Sequence, residues 1–198
     1  MGLLQLMKPE STVGLVNRLV SNRESRDQVF AAIAERENFG YEFDKANASL
    51  ELLIARLLNG KKLPFTVGNY HVSMRGSMET GDRTGHVCEA SVKVHVGGAE
   101  YFEVSDGNGP ISAFDGAIRM ALGKSRLPSL TSVKLMNYSV GLVSGTTTGA
   151  DAKTRVFITT SDGASSWTTS GVDENVVEAS LLALIDSLEY AFTVRAKK

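Results

Sequence analysis

One cysteine, one tryptophan, three histidines and four prolines are all that 198 residues hold of the types that staple, ligate or kink a chain. A single cysteine, Cys88, excludes an internal disulfide and a cysteine-based metal cluster. Cys88 alternates with Ala90 and Val92, so a small buried hydrophobe is expected there, not a nucleophile. His71, His86 and His95 have no carboxylate at ligand spacing and no histidine follows them, which argues against a histidine metal site and a serine hydrolase alike. Neither a Gly-x-Ser-x-Gly elbow nor a Gly-Lys-Ser/Thr phosphate loop occurs. Charge of one sign is missing too: 21 basic and 22 acidic residues leave a formal net charge of −1. The basic residues are scattered, so no footprint for nucleic acid or an anionic membrane is present. No apolar run approaches the roughly 20 residues of a membrane helix, and the first nine residues lack the pattern of a signal peptide. A cytoplasmic chain with neither membrane nor nucleic-acid partners is therefore expected.

What is present is said twice. Asn69-Tyr70-His71-Val72-Ser73-Met74 returns as Asn137-Tyr138-Ser139-Val140-Gly141-Leu142, and the following segments return in the same order. Tyr70 and Tyr138 are 68 residues apart, while Ala113 and Ala179 in the closing helices are 66 apart. Cys88, Ala90, Val92, Val94 and Val96 alternate with polar residues, as do Thr154, Val156 and Ile158 with their neighbours, which is the pattern of strands with one buried face. Gly97-Gly98 and Asp162-Gly163 read as matching two-residue hairpin turns. Ala113, Phe114, Ala117, Ile118, Ala121 and Leu122 form one helical stripe, and Val176, Val177, Ser180, Leu181, Leu184, Ile185 and Leu188 form the other. Pro110 suits a first helical turn and Asp173 reads as an N-cap. The expected fold is α+β: a duplicated β-β-β-α unit forming two antiparallel sheets with helices on one face, sharing a core across a pseudo-twofold axis.

Ahead of the repeats, residues 11–60 are helical in character, with breaks near Asn22 to Ser25 and near Asn38 to Gly40. The clearest helix begins at about Asp44, with Ala46, Leu50, Leu53, Ile54 and Leu57 on one face and Asn59-Gly60 as its stop. Leu63-Pro64-Phe65 then acts as a hinge. The expected division is a helical connector over 1–62 and a domain over 63–198, with repeats at 63–125 and 131–194. Gly107-Asn108-Gly109 precedes a helix and can present amides to an anion, or else serves a tight connection that needs positive φ.

The segment Phe39-Gly40-Tyr41-Glu42-Phe43-Asp44-Lys45-Ala46-Asn47-Ala48-Ser49-Leu50 resembles the connector of citramalate synthases. Gly107-Asn108-Gly109-Pro110-Ile111-Ser112-Ala113-Phe114-Asp115 and the run from Thr169 to Ser180 resemble the C-terminal regulatory domain shared by citramalate synthase and 2-isopropylmalate synthase. The likeness covers about residue 26 to the end. In that family a metal-dependent barrel condenses acetyl-CoA with a 2-oxo acid, and the regulatory domain binds the end product. The barrel's motifs have no counterpart here, so the resemblance implies a chain that is no enzyme by itself. It carries no cofactor; the divalent metal belongs to the barrel. The implied partners are a second copy, the barrel, and isoleucine, or leucine if the domain is of the 2-isopropylmalate synthase type. A third reading is an assembly module without effector.

By motif position the resemblance places the effector pocket on Ile111, Leu135, Tyr138, Leu142, Thr154, Glu174 and Val176, beside the helix start at Gly107, Asn108 and Gly109. Ile111, Leu135, Leu142 and Val176 could take a branched aliphatic side chain, and backbone amides its carboxylate. Glu174 could face the ammonium or merely favour a helix N-terminus.

Overall fold

The computed structural model describes residues 11–60, 63–76, 87–143 and 152–193. Three helices come first: α1 (Thr12–Leu19), α2 (Arg23–Phe39) and α3 (Asn47–Asn59), with a 3-10 turn at Phe43–Lys45. Ser11 and Asn22 cap α1 and α2 through their side-chain oxygens, so the first break falls before Ser25, which already lies within α2. Gly40, at φ 126, ends α2 where a side chain would be strained. Asp44 lies outside the third helix, in the 3-10 turn, and its carboxylate accepts from the Thr12 amide at 3.0 Å and hydroxyl at 2.6 Å. Those two bonds hold the Asp44 carboxyl below its ordinary value and pin the start of α1.

Then come β1 (Thr66–Arg75), β2 (Val87–Val96), β3 (Ala99–Gly107) and α4 (Pro110–Lys124), followed by β4 (Lys134–Leu142), β5 (Thr154–Ser161), β6 (Ser166–Asp173) and α5 (Val176–Thr193). Two antiparallel sheets result, ordered β1-β2-β3 and β4-β5-β6. Each has a bulge just before its first-strand tyrosine: Tyr70 then pairs with Val92, and Tyr138 with Ile158. Val92 and Ile158 are 66 residues apart, as the helix alanines are, so the two extra residues of the tyrosine spacing belong to the first hairpin of the first repeat, 22 residues from Tyr70 to Val92 against 20 from Tyr138 to Ile158.

The turns differ more than their sequences suggest. Gly97 and Gly98 both take positive φ in a two-residue turn, but Asp162 opens a four-residue loop in which only Gly163 does, and the Asp162 carboxylate accepts from the Ala164 and Ser165 amides. Asp173 is also displaced as a cap: it ends β6 and accepts from the Asn175 amide, while Asn175 itself accepts from Val177 in the first turn of α5.

A single core joins the repeats, with Val92 and Val94 of β2, Val156 and Ile158 of β5, the α4 stripe, and Leu181, Leu184 and Leu188 of α5 buried; Val177 and Ile185 are partly buried against it, and Val176, expected on the same stripe, is exposed. The connector packs on the second repeat. Leu50 and Ile54 of α3 join Val172 of β6 in one cluster, Ala48 and Leu52 join Trp167 and Tyr190 in another, and Ser49 accepts the Ser170 amide at 2.9 Å. Leu57 is turned outward, 46 % exposed, against its expected place on the packed face. Arg56 reaches from α3 to α5, at 2.6 Å from Asp186 and 2.5 Å from Glu189. Burial raises the Asp186 carboxyl and Arg56 partly reverses this. Among the described residues no helix is long and apolar enough to cross a membrane.

Replacing Arg56 with Met leaves the buried Glu189 and half-buried Asp186 carboxylates without their shared cation and is expected to cost about 2–4 kcal/mol in urea unfolding, near the low end for a broken buried pair because Arg56 is itself 30 % exposed. Asp44→Asn should destabilise by about 1 kcal/mol at pH 7. The native carboxyl is depressed, so its contribution exists above the ordinary value of 3.8 and is lost as pH falls through the lower folded value; the stability difference between the two proteins should shrink as pH falls below 3.8.

Candidate functional site

Gly107 ends β3 opposite Cys88, in extended backbone and without positive φ. Its requirement is steric: a Cβ there would stand 2.4 Å from the Ala113 nitrogen and 2.8 Å from the Ser112 carbonyl carbon. The first turn of α4 therefore folds back directly over the end of its strand. Gly109, the N-cap, is also extended, at φ −171, and a Cβ on it would meet nothing within 4 Å. Pro110 occupies the first helical position, and helix geometry leaves the Ile111 and Ser112 amides without intrahelical acceptors.

Across from this turn runs β4, an edge strand exposed along all nine residues. Tyr138, Val140 and Leu142 pair with Ile158, Val156 and Thr154, so they share the face that is buried on β5. On β4 that face is open, with Tyr138 39 %, Val140 48 % and Leu142 65 % exposed. Only the foot of Tyr138 is anchored: its phenol bonds the Ser180 hydroxyl of α5 at 2.8 Å, and Ser180 donates to the Val176 carbonyl at 2.5 Å.

Between β4 and the start of α4 lies a groove of about 470 Å³, lined by Gly109, Pro110, Ile111, Ser112, Asp115, Leu135 and Tyr138. Its walls are mainly apolar. The α4 amides bring partial positive charge to the groove, and one turn further along α4 stands the Asp115 carboxylate, which Arg119 holds with Nε 2.8 Å from both oxygens. A small zwitterion with an aliphatic side chain matches this distribution in size and charge. A second cleft, of about 330 Å³, lies between α3 and α5, where Arg56, Asp186 and Glu189 bind one another.

Ile111, Leu135, Tyr138 and Gly109 thus come together as one surface. Leu142 and Thr154 sit side by side at the far end of the β4–β5 ladder, with Thr154 only 7 % exposed. Glu174 is exposed on the β6–α5 connection, and Val176 begins α5 at 42 % exposure. Gly107 and Asn108 support the α4 turn without lining the groove. Ser112, Asp115 and Ser180 are additions that the sequence did not single out; Asp115 and Arg119 do stand at the i, i+4 spacing of a helix-surface pair. His95 is half exposed beside Glu100 at 3.9 Å, His71 is exposed, Cys88 is 1 % exposed with its thiol pushed up by burial, and His86 lies outside the described residues.

The two glycines of the turn should respond in opposite ways. Gly107→Ala is expected to lose more than about 2 kcal/mol in thermal or urea unfolding because the helix start must shift, while Gly109→Ala should stay within about 0.5 kcal/mol of the native protein.

A family model described as the LeuA allosteric (dimerisation) domain matches residues 45–192, a stretch holding both repeats, the groove and α3. The chain is also similar to (R)-citramalate synthases: 42 % identical over 158 residues to that of Aquifex aeolicus, 36 % over 162 residues to that of Synechocystis, and 39 % over 163 residues to that of Geobacter sulfurreducens. These matches take in 80 %, 82 % and 82 % of this chain, but 29 %, 29 % and 30 % of the respective relatives. The chain spans about three-tenths of their length and corresponds to their regulatory part, not to the catalytic barrel. The matched stretch spans both strand-strand-strand-helix units around their shared core, and the chain belongs to the LeuA allosteric (dimerisation) domain family.

Proposed function

We propose that this chain is the regulatory domain of an (R)-citramalate synthase and that it binds isoleucine as a feedback inhibitor in the groove between α4 and β4. The observation that carries the reading is the meeting of Ile111, Leu135 and Tyr138 around the unpaired amides of the α4 first turn. In this reading the Ile111 and Ser112 amides receive the effector carboxylate, and Leu135, Ile111 and the Tyr138 ring enclose its branched side chain. Asp115, which lines the groove, is better placed for the ammonium than Glu174, which does not.

The open apolar face of β4 supports homodimerisation, since an exposed edge strand carrying Tyr138, Val140 and Leu142 is a surface that proteins ordinarily cover. A second copy laid there would bring Leu142, Thr154, Glu174 and Val176 into the neighbourhood of the groove and close it to water. The connector over 1–62 is proposed as the element that joins the regulatory unit over 63–198 to the barrel of the whole enzyme, whose reaction would be condensation of acetyl-CoA with pyruvate. Its contacts with α5 through Arg56 give effector binding a physical route toward that barrel.

Calorimetric titration of the chain with isoleucine, leucine and valine separates the readings. Isoleucine is expected to bind most tightly; preference for leucine would assign the domain to the 2-isopropylmalate synthase type, and no heat with any of the three would leave an assembly module. Tyr138→Ala should weaken isoleucine binding by more than about 1 kcal/mol, and unchanged affinity would put Tyr138 outside the pocket.

A further inference from the structure

The two repeats seat their first-strand tyrosines on different supports. Tyr70 and Tyr138 occupy equivalent ladder positions, opposite Val92 and Ile158. Beneath them α4 carries Ala113-Phe114 and α5 carries Ala179-Ser180, 66 residues on, so Phe114 and Ser180 are equivalent too. Both are fully buried at 0 % exposure. In the first repeat the Phe114 ring meets Tyr70 edge to face, with centroids 5.2 Å apart and an interplanar angle of 82°, and Tyr70 is half-buried against the core. In the second, Ser180 commits its proton to the Val176 carbonyl and its lone pair to the Tyr138 phenol. A buried hydroxyl with both functions used fixes its partner, because releasing the phenol would leave an unpaired oxygen in the core.

We propose that Ser180 is the positioning residue that makes the second repeat the sensing one. It ties the Tyr138 phenol to α5, and it puts a small side chain where the first repeat has an aromatic plug. The Tyr138 ring is thereby held in the groove wall with Ile111, while Tyr70 rests half-buried on Phe114 and is silent. In this reading each chain carries one effector site despite its internal duplication. This inference rests on the groove being the isoleucine site.

The test is a double-mutant cycle read by isoleucine titration of the whole chain, with thermal melting as the control for folding. Ser180→Ala and Tyr138→Phe should each weaken isoleucine binding roughly tenfold, the loss of one well-formed hydrogen bond. Because both remove the same interaction, the double variant should be no weaker than either single one. Ser180→Thr keeps the hydroxyl and should bind within about twofold of the native chain. Ser180→Phe, which copies the first repeat, should fold and fail to bind. Native-like affinity in Tyr138→Phe, which removes only the phenol oxygen and keeps the ring, would overturn the proposal even if a Ser180 variant proved unstable. So would losses that multiply in the double variant. Absence of isoleucine binding by the native chain would instead overturn the reading of the groove on which the proposal rests.

Discussion

Each repeat lays its helix on its last strand so closely that one surface has to give up its side chain. In the first repeat a Cβ on Gly116 of α4 would stand 2.4 Å from the Ser105 hydroxyl of β3. In the second, a Cβ on Gly171 of β6 would stand 2.0 Å from the Ala179 carbonyl oxygen and 2.8 Å from the Ala183 nitrogen of α5. The glycine is on the helix in one repeat and on the strand in the other, and it meets a side chain in the first but the helix backbone itself in the second. Buried alanines at 113, 117, 121, 179 and 183 extend the close-packed seam. With the helices held down in this way, α4 must begin by folding over the end of β3, and its first turn comes to face β4. The groove is a consequence of that seam.

Duplication supplies the core, and departures from duplication supply the candidate site. Val92 with Val94 and Val156 with Ile158 enter one cluster, so neither sheet can bury its inner face without the other repeat. The inner face of β1 is partly covered, with Tyr70 and Val72 packed on the core, whereas that of β4 is open. The connector adds to the imbalance by lying against β6 and α5 of the second repeat. α5 therefore has two neighbourhoods. Near its start Val176 and Ser180 support the groove, and two turns further on Asp186 and Glu189 receive Arg56 from α3. A displacement of α5 on binding would be felt at the connector, since the paired charges there leave it few alternative positions.

The repeat, the alternation of β2 and β5, the two helical stripes and the proline at the start of α4 were all legible in the sequence, because each is a local pattern with a fixed period or position. Where reading failed, the cause was a choice between two local options of similar energy. Asp162-Gly163 has the composition of a two-residue turn, but the aspartate carboxylate can also gather two amides and widen the loop. Asp173 and Asn175 are both competent caps two residues apart, and the strand claims the first. Leu57 fits the helical period yet falls past the edge of what β6 and α5 cover. Ile111, Leu135 and Tyr138 could be matched to a pocket only by family resemblance, since no spacing in the chain tells that the α4 turn and β4 face each other. Ser180 was invisible as anything but a small residue on an apolar stripe: its role depends on a tyrosine 42 positions away.

Effector recognition by the second repeat is tested most directly by mapping backbone amide chemical shifts as isoleucine is added to the folded chain. Changes concentrated at Ile111 to Asp115, Leu135 to Tyr138 and Ser180, with Thr66 to Tyr70 undisturbed, are the expected result. Saturable changes centred instead on Thr66 to Tyr70, or on the cleft between α3 and α5, would contradict it.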